Sequence, residues 1–139
     1  MAEAILKPVF AMALLTFVMA LWLLVTRIPT MAKLKIHPQK GRDTTELRKL
    51  LPDAVNGPAN NYNHLFEQPV VFYAVCLSLA VLNHADNFFV TCAWIYVALR
   101  VVHSIVQATI DIVTIRFYIF ITSWVVLATM IIREALILF

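Results

Sequence analysis

Glycine, cysteine and charged residues are all scarce in this sequence. Two of the 139 residues are glycine, two are cysteine and 14% are charged, whereas 62% are hydrophobic. A soluble domain of this size has too small a core to hide so much apolar surface. This composition excludes a soluble globular protein and predicts an all-α membrane protein, because a helix satisfies its own backbone hydrogen bonds in lipid.

Other classes are excluded by what the sequence lacks. The short alternating strands and intervening turn residues of a transmembrane β-barrel are missing. Cys76 and Cys92 both fall within apolar segments, so we interpret them as small core residues and not as a disulfide. No cysteine or histidine cluster has the spacing of metal ligands, so no metal site is predicted. The net charge of +3 is too small to indicate a nucleic-acid partner.

Four apolar segments are each close to the ~20 residues that a helix needs to cross a bilayer. They cover about residues 5–26, 66–82, 88–107 and 117–138. A polar loop over residues 28–60 joins the first two segments. The connection NHADN at 83–87 is so short that the second and third helices should be antiparallel neighbours. The sequence therefore predicts one transmembrane domain over residues 1–139, a bundle of four membrane-spanning helices.

One short helix is predicted inside the polar loop. The D-x-x-E pattern that begins at Asp43 is typical of a helix cap, and Pro52 should end the helix. Its leucines, Leu47, Leu50 and Leu51, are expected on one face. That face suits either the membrane surface or packing on the protein's own helices.

Lysine and arginine are concentrated in the first and third connections between the apolar segments. These residues are Arg27, Lys33, Lys35, Lys40, Arg42, Arg48, Lys49 and Arg116. The opposite side of the predicted bundle carries only Lys7 and Arg133. Because basic connections stay on the cytoplasmic side, we expect a multi-pass membrane protein with both termini on the opposite side.

Polar residues that interrupt the apolar segments converge on the cytoplasmic half of this bundle. Arg100, His103 and Gln107 follow i, i+3, i+7 spacing, which places them on a single stripe of the third helix. Asn63 and Glu67 are one turn apart at the start of the second helix. All five side chains should therefore lie near the same end of the bundle.

Glu67 needs a partner, because burying an unpaired carboxylate in a membrane is costly. Arg100 or Arg116 could neutralise it. A single ion pair of this kind is compatible with a structural role that fixes helix register as well as with a ligand site. Two arginines against one carboxylate favour an anionic ligand, because uncompensated arginine in a low-dielectric site is unfavourable.

These residues resemble those of the MAPEG family, the membrane-associated proteins of eicosanoid and glutathione metabolism. The second helix opens with N-H-L-F-E-Q-P at 63–69. The third helix carries R-x-x-H at Arg100 and His103, and Arg116 follows. Length, four helices and a long first cytoplasmic loop also agree, so the resemblance covers nearly the whole chain.

The resemblance implies a homotrimer that binds glutathione as a co-substrate between neighbouring subunits, near the cytoplasmic face. By resemblance, Arg116 is the candidate catalytic residue that stabilises the thiolate. Glu67 would suit the ammonium group of glutathione, and arginines suit its carboxylates. The full set of glutathione-binding candidates is Asn63, Glu67, Arg100, His103, Gln107 and Arg27.

The chain departs from the family's pattern at several positions. The segment GPANNYN at 57–63 lacks an arginine just before the asparagine, and Phe66 occupies the usual glutamate position. Gln107 stands where some members have a tyrosine, and Phe117 and Phe120 stand where some have hydroxyl groups. The source of thiolate activation is therefore less clearly matched than the fold.

The polar residues and the resemblance together are compatible with two functions from different classes. The first is a glutathione-dependent membrane enzyme that conjugates glutathione to a lipophilic electrophile from the membrane, or reduces a lipid hydroperoxide. The second is a non-catalytic membrane protein of the same fold that binds a lipid or a protein partner. The missing hydroxyl groups favour the second function, whereas one carboxylate beside two arginines favours the first.

Overall fold

The computed structural model describes all residues, 1–139, and is built from helices alone. The elements are α1 (Ala2–Lys33), a 3-10 turn (Pro38–Arg42), α2 (Thr44–Leu50), α3 (Asp53–His64), α4 (Gln68–Val81), α5 (Asn87–Ala108) and α6 (Val113–Leu138). Four stretches are long and apolar enough to cross a membrane: α1, α3 together with α4, α5 and α6. The prediction of an all-α protein with four membrane-spanning helices is confirmed.

The predicted bounds differ most from the structure between the first and second spans. α1 continues to Lys33, well beyond residue 26, and the region predicted as a loop over 28–60 contains α2 and most of α3. α3 was missed because it is polar and contains Gly57 and Pro58, which usually interrupt helices. Both residues are buried in the structure, so packing against neighbouring helices outweighs their poor helix propensity.

α3 and α4 are separated by a break at residues 65–67. α4 starts at Gln68 with Pro69 in its first turn, where no amide proton has to be donated within the helix. The break is closed by tight turns, in which Phe66 N–H donates to Asn63 O at 3.1 Å and Glu67 N–H donates to His64 O at 3.2 Å. The apolar span predicted from residue 66 is therefore the second half of a longer, broken span.

The main core lies along α5, which packs against α6, α1 and α3. Side chains from all four spans meet there without any exposed surface, among them Met12, Phe72, Tyr96 and Leu127. The Phe72 and Tyr96 rings stack with their centroids 4.4 Å apart. Because lipid is as apolar as the core, these contacts stabilise the bundle mainly through close packing and not through removal of surface from water.

α2 packs on the protein's own helices. Its cap is confirmed, since the Asp43 carboxylate accepts hydrogen bonds from Thr45 N–H at 2.9 Å and Glu46 N–H at 3.3 Å. Leu47 and Leu51 are buried in a small second cluster. Leu50 is 50% exposed, so only two of the three leucines that were predicted on one face take part in this packing.

The connection between α4 and α5 is attached to the end of α6 by two pairs of polar side chains. His84 Nδ1 lies 2.6 Å from Glu134 Oε1, and Arg133 Nη1 donates to Asp86 Oδ1 at 3.1 Å. Asp86 also caps α5 by accepting a hydrogen bond from Phe89 N–H at 3.0 Å. That backbone hydrogen bond, followed by the Arg133 guanidinium, lowers the pKa of Asp86 below its ordinary value.

Asp86→Ala should lower the free energy of unfolding by about 1–2 kcal/mol, because α5 loses its cap and Arg133 loses an exposed ion pair. Asp86→Asn keeps a capping side chain and should recover most of this loss. The carboxylate's contribution is complete above its unfolded pKa of ~3.9 and is lost as the pH falls through the lower folded-state pKa. Unfolding curves in mixed detergent micelles measure these differences. Equal losses in the two variants would contradict the capping role.

Candidate functional site

A polar cavity lies beside the break between α3 and α4, at the end of the bundle that carries the arginine-rich connections. Its volume is about 500 Å³, and we call it the basic cavity. Its walls are formed by Arg48, Asn60, Asn63, His64, Glu67, His103, Gln107, Val113, Arg116, Phe117 and Phe120. A concave polar site between apolar helices is the default candidate for ligand binding in such a protein.

The structure brings together most of the site residues predicted from the sequence. Asn63, Glu67, His103, Gln107 and Arg116 all line the basic cavity. They come from three helices, α3, α5 and α6, and from the break that precedes α4. The predicted stripe of α5 thus reaches the cavity through its last two members.

Two predicted residues do not line the basic cavity. Arg100 lies deeper in the bundle, and Arg27 lies near the end of α1. The Nε atom of Arg27 is buried without a hydrogen-bond partner. Within one chain, neither arginine reaches a ligand in this cavity by direct contact.

The ion pairs at this end differ from those expected for Glu67. Its carboxylate lies 2.7 Å from His64 Nδ1, and its side chain is 67% exposed. Arg116 instead donates to Asp111 Oδ1 at 2.7 Å. The expectation that Arg100 or Arg116 directly neutralises Glu67 is therefore wrong, because the break ahead of α4 leaves Glu67 at the surface, beside a histidine of its own turn.

His64 was not among the predicted site residues. Its ring centroid lies 5.0 Å from that of His103 and 5.6 Å from that of Phe120, so it joins α3 to α5 and α6 across the cavity. The spacing of His64 and Glu67, three residues apart, was a local signal for this pair. Arg48 was also missed, and no local signal marks it, because it reaches the cavity only through the packing of α2.

Arg100 is held by neutral partners below the basic cavity. Its side chain has no exposed surface, and Nη1 donates to Gln68 Oε1 at 3.2 Å. The Ser123 hydroxyl lies 3.0 Å from the same Gln68 oxygen, so α4, α5 and α6 meet at one amide. Arg100 forms no ion pair, and its Nε and Nη2 atoms have no hydrogen-bond partner. It is a fixed, buried positive charge beneath the site.

A second cavity, of about 330 Å³, adjoins the first, and we call it the acidic cavity. It is lined by Asp53, Asn56, Gly57, Asn60, Gln107, Thr109, Ile110 and Asp111. Asn60 and Gln107 line both cavities. A Cβ atom at Gly57 would lie 3.1 Å from the Gln107 carbonyl oxygen, so the glycine allows α3 to approach the end of α5 closely.

The chemistry of the basic cavity suits an organic anion. Two arginines share the walls with a single carboxylate, which is already engaged by His64, and the two histidines add hydrogen-bonding groups. Amide side chains and the rings of Phe117 and Phe120 complete the walls. Nowhere in the chain do three histidine, cysteine, aspartate or glutamate side chains come together as a metal site.

Four membrane-spanning helices with a basic, amide-lined cavity at one end define an integral, multi-pass membrane protein with a candidate ligand site. The model of the MAPEG family matches residues 5–136, nearly the whole chain. The chain belongs to the MAPEG family, as the sequence motifs predicted. This family includes glutathione-dependent transferases and peroxidases and also non-catalytic members. Comparisons with curated proteins and with solved structures gave no match.

Gln68→Leu should lower the free energy of unfolding by about 1.5–3 kcal/mol, because a buried charged donor loses its hydrogen-bond partner. Gln68→Glu offers Arg100 a carboxylate at the same place and should retain stability. Ser123→Ala, which leaves the contact between Arg100 and Gln68 intact, is the matched control and should cost less. Unfolding in mixed micelles compares the three variants. A Gln68→Leu protein as stable as the wild type would show that Arg100 does not depend on Gln68.

Proposed function

We propose that the protein is a glutathione-dependent membrane enzyme that binds glutathione in the basic cavity. It conjugates glutathione to a lipophilic electrophile or uses it to reduce a lipid hydroperoxide. The observation that carries this proposal is the convergence of Arg48, Arg116, His64 and His103 on one cavity of about 500 Å³. Glutathione has two carboxylates, one ammonium group and one thiol, so its net charge is opposite to that of the cavity.

The two arginines of the basic cavity match the two carboxylates of glutathione. A guanidinium presents a planar fork of donors that pairs with a carboxylate through two parallel hydrogen bonds. Arg48 forms no ion pair within the chain, and Arg116 uses Nη1 for Asp111. The amides of Asn63 and Gln107 add donors and acceptors for the peptide groups. Glu67 contributes through His64, which it holds in the cavity wall.

Arg100 and Arg27 do not line the basic cavity of their own chain, and the proposal gives each of them a different role. Arg100 adds a positive potential from below, which strengthens anion binding in a site of low dielectric constant. Arg27 would reach glutathione only if a neighbouring subunit brought its α1 against the cavity. We therefore include the homotrimer in the proposal, with glutathione bound between subunits. The large exposed apolar side chains of α1 and α6, such as Phe10 and Val125, leave surface for both lipid and neighbouring copies.

The reaction needs a thiolate, and Arg116 is the group proposed to stabilise it. A guanidinium beside the sulfur lowers the thiol pKa and so raises the fraction of nucleophile at neutral pH. Phe117 and Phe120 give the same cavity an apolar wall, which suits a lipophilic substrate that enters from the membrane. Positioning of the two reactants and stabilisation of the thiolate would supply most of the rate enhancement.

The excess of lysine and arginine at the basic end supports a cytoplasmic location for the cavity. Both termini then lie on the other side of the membrane, at the end where Asp86 and Arg133 pair. Cytoplasmic glutathione would enter the cavity from water, and the second substrate would enter from lipid.

A non-catalytic lipid-binding or partner-binding protein is the second candidate. The observation in its favour is that Phe117 and Phe120 line the cavity near Arg116, where hydroxyl groups would otherwise assist the thiolate. Arg116 is also partly neutralised by Asp111. In this alternative, the arginines and histidines would bind an anionic lipid headgroup or fix the helix ends.

Glutathione should raise the unfolding temperature of the protein purified in detergent. A ligand at 100 times its dissociation constant stabilises the folded state by about 2.7 kcal/mol, which is measurable as a shift in thermal unfolding. Thiol-capped glutathione and an analogue without the γ-glutamyl residue serve as controls. A saturable shift that requires the γ-glutamyl residue supports the site, and the absence of any shift at millimolar glutathione would favour the non-catalytic alternative.

Arg116→Ala should abolish thiolate formation from bound glutathione, because the positive charge beside the sulfur is removed. The ultraviolet absorbance of the thiolate, recorded as glutathione is added to the protein, measures this directly. Arg116→Lys keeps the charge and should retain part of the signal, and S-methylglutathione should give none. An undiminished thiolate signal in Arg116→Ala would disprove the catalytic assignment.

A further inference from the structure

We infer that the acidic cavity is the subsite for the ammonium group at the γ-glutamyl end of glutathione. This inference rests on the proposed function, because it concerns the orientation of the same ligand. It differs from the assignment of the ammonium to Glu67, which the sequence motif suggested.

The charges on the walls of the acidic cavity suit a cation. Asp53 and Asp111 line it, and no lysine, arginine or histidine does. Asp53 forms no ion pair, whereas Asp111 accepts a hydrogen bond from Arg116. The last turn of α5 also ends here, close to Gly57, and the C-terminal end of a helix carries partial negative charge.

Two residues that line this cavity each carry a buried acceptor without a donor. Asn56 and Gln107 are each only 7% exposed, and neither Asn56 Oδ1 nor Gln107 Oε1 has a hydrogen-bond partner. The orientation of the Asn56 amide is fixed, because Nδ2 donates to the carbonyl oxygens of Arg48 at 2.9 Å and Leu51 at 3.1 Å. An ammonium group offers three donors and no acceptor, which is the complement of this arrangement. Asp53 could also serve only to stabilise the first turn of α3. That role would not explain why Asn56 Oδ1 and Gln107 Oε1 lack donors.

The position of Glu67 is less suitable for the ammonium group. Its carboxylate is bonded to His64 at 2.7 Å, and Arg48 and Arg116 line the same cavity. An ammonium group placed there would compete with a histidine and lie among like charges. The acidic cavity offers an aspartate without an ion pair and no basic side chain on its walls.

The boundary that the two cavities share suits the α-amino and α-carboxylate groups of the γ-glutamyl residue. The ammonium and the α-carboxylate are attached to one carbon atom, so they must sit where acidic and basic walls meet. Asn60 and Gln107 line both cavities. Their amides can donate to the carboxylate on one side, while Asp53 and the unpartnered oxygens accept from the ammonium on the other. The rest of the tripeptide then extends into the basic cavity.

The test compares glutathione with its des-amino analogue, in which hydrogen replaces the ammonium group. Dissociation constants for both are measured by equilibrium dialysis with wild type, Asp53→Asn, Asp53→Lys and Glu67→Gln. Glu46→Gln is the control for loss of a negative charge, because Glu46 is exposed and pairs only with Lys49, outside both cavities. Gel filtration in detergent checks that each variant is folded.

Wild type should bind glutathione about tenfold more tightly than the analogue. This ratio of affinities corresponds to the free energy of one charge-assisted hydrogen bond. Asp53→Asn should lose most of this preference while its affinity for the analogue is unchanged. Asp53→Lys, which places its own ammonium group at the subsite, should reverse the preference, and Glu46→Gln should keep it. Loss of the preference in Glu67→Gln but not in Asp53→Asn would overturn the inference and leave the proposed function standing. No binding of glutathione to the wild type would overturn both.

Discussion

The second membrane span is interrupted just before Pro69, whose missing amide proton removes one hydrogen bond from a continuous α-helix and is tolerated in the first turn of a new one. The break at residues 65–67 leaves Glu67 outside both helices, and Gln68 is the first residue of α4. Glu67 remains at the surface beside His64, whereas Gln68 is buried and meets Arg100. Both the wall of the basic cavity and the polar contact beneath it depend on this interruption.

Charged side chains are paired differently at the two ends of the bundle. At the end that carries the termini, Asp86 pairs with Arg133 and Glu134 with His84, so each of these two acids has its own base. At the basic end only Arg116 among the cavity arginines has a carboxylate partner. Between the ends, Arg100 is held by a neutral amide, which avoids a second buried charge but leaves a positive potential in place. The site therefore has unbalanced positive charge where it is open.

The predicted site was most accurate where one helix carried the information. His103 and Gln107 lie on the stripe of α5 that periodicity identified, and both line the basic cavity. Prediction failed for the partner of Glu67, which depends on a backbone break, and for Arg48, which depends on how α2 packs. The partner of Glu67 could not be derived from helical periodicity, because periodicity assumes that the helix continues. Arg48 lies in a loop helix whose position is set by the packing of Leu47 and Leu51.

By itself, the sequence determined that this is a four-span helical membrane protein, because long apolar runs with few charges have no other stable arrangement in lipid. It also determined the family, through motifs whose residues are close together in the sequence. Only the tertiary structure decided that α3 is a helix, since burial of Gly57 and Pro58 outweighs their local propensity. It alone decided the pairing of charges and the presence of two adjoining cavities, because both depend on side chains that are distant in sequence and meet only after the helices pack.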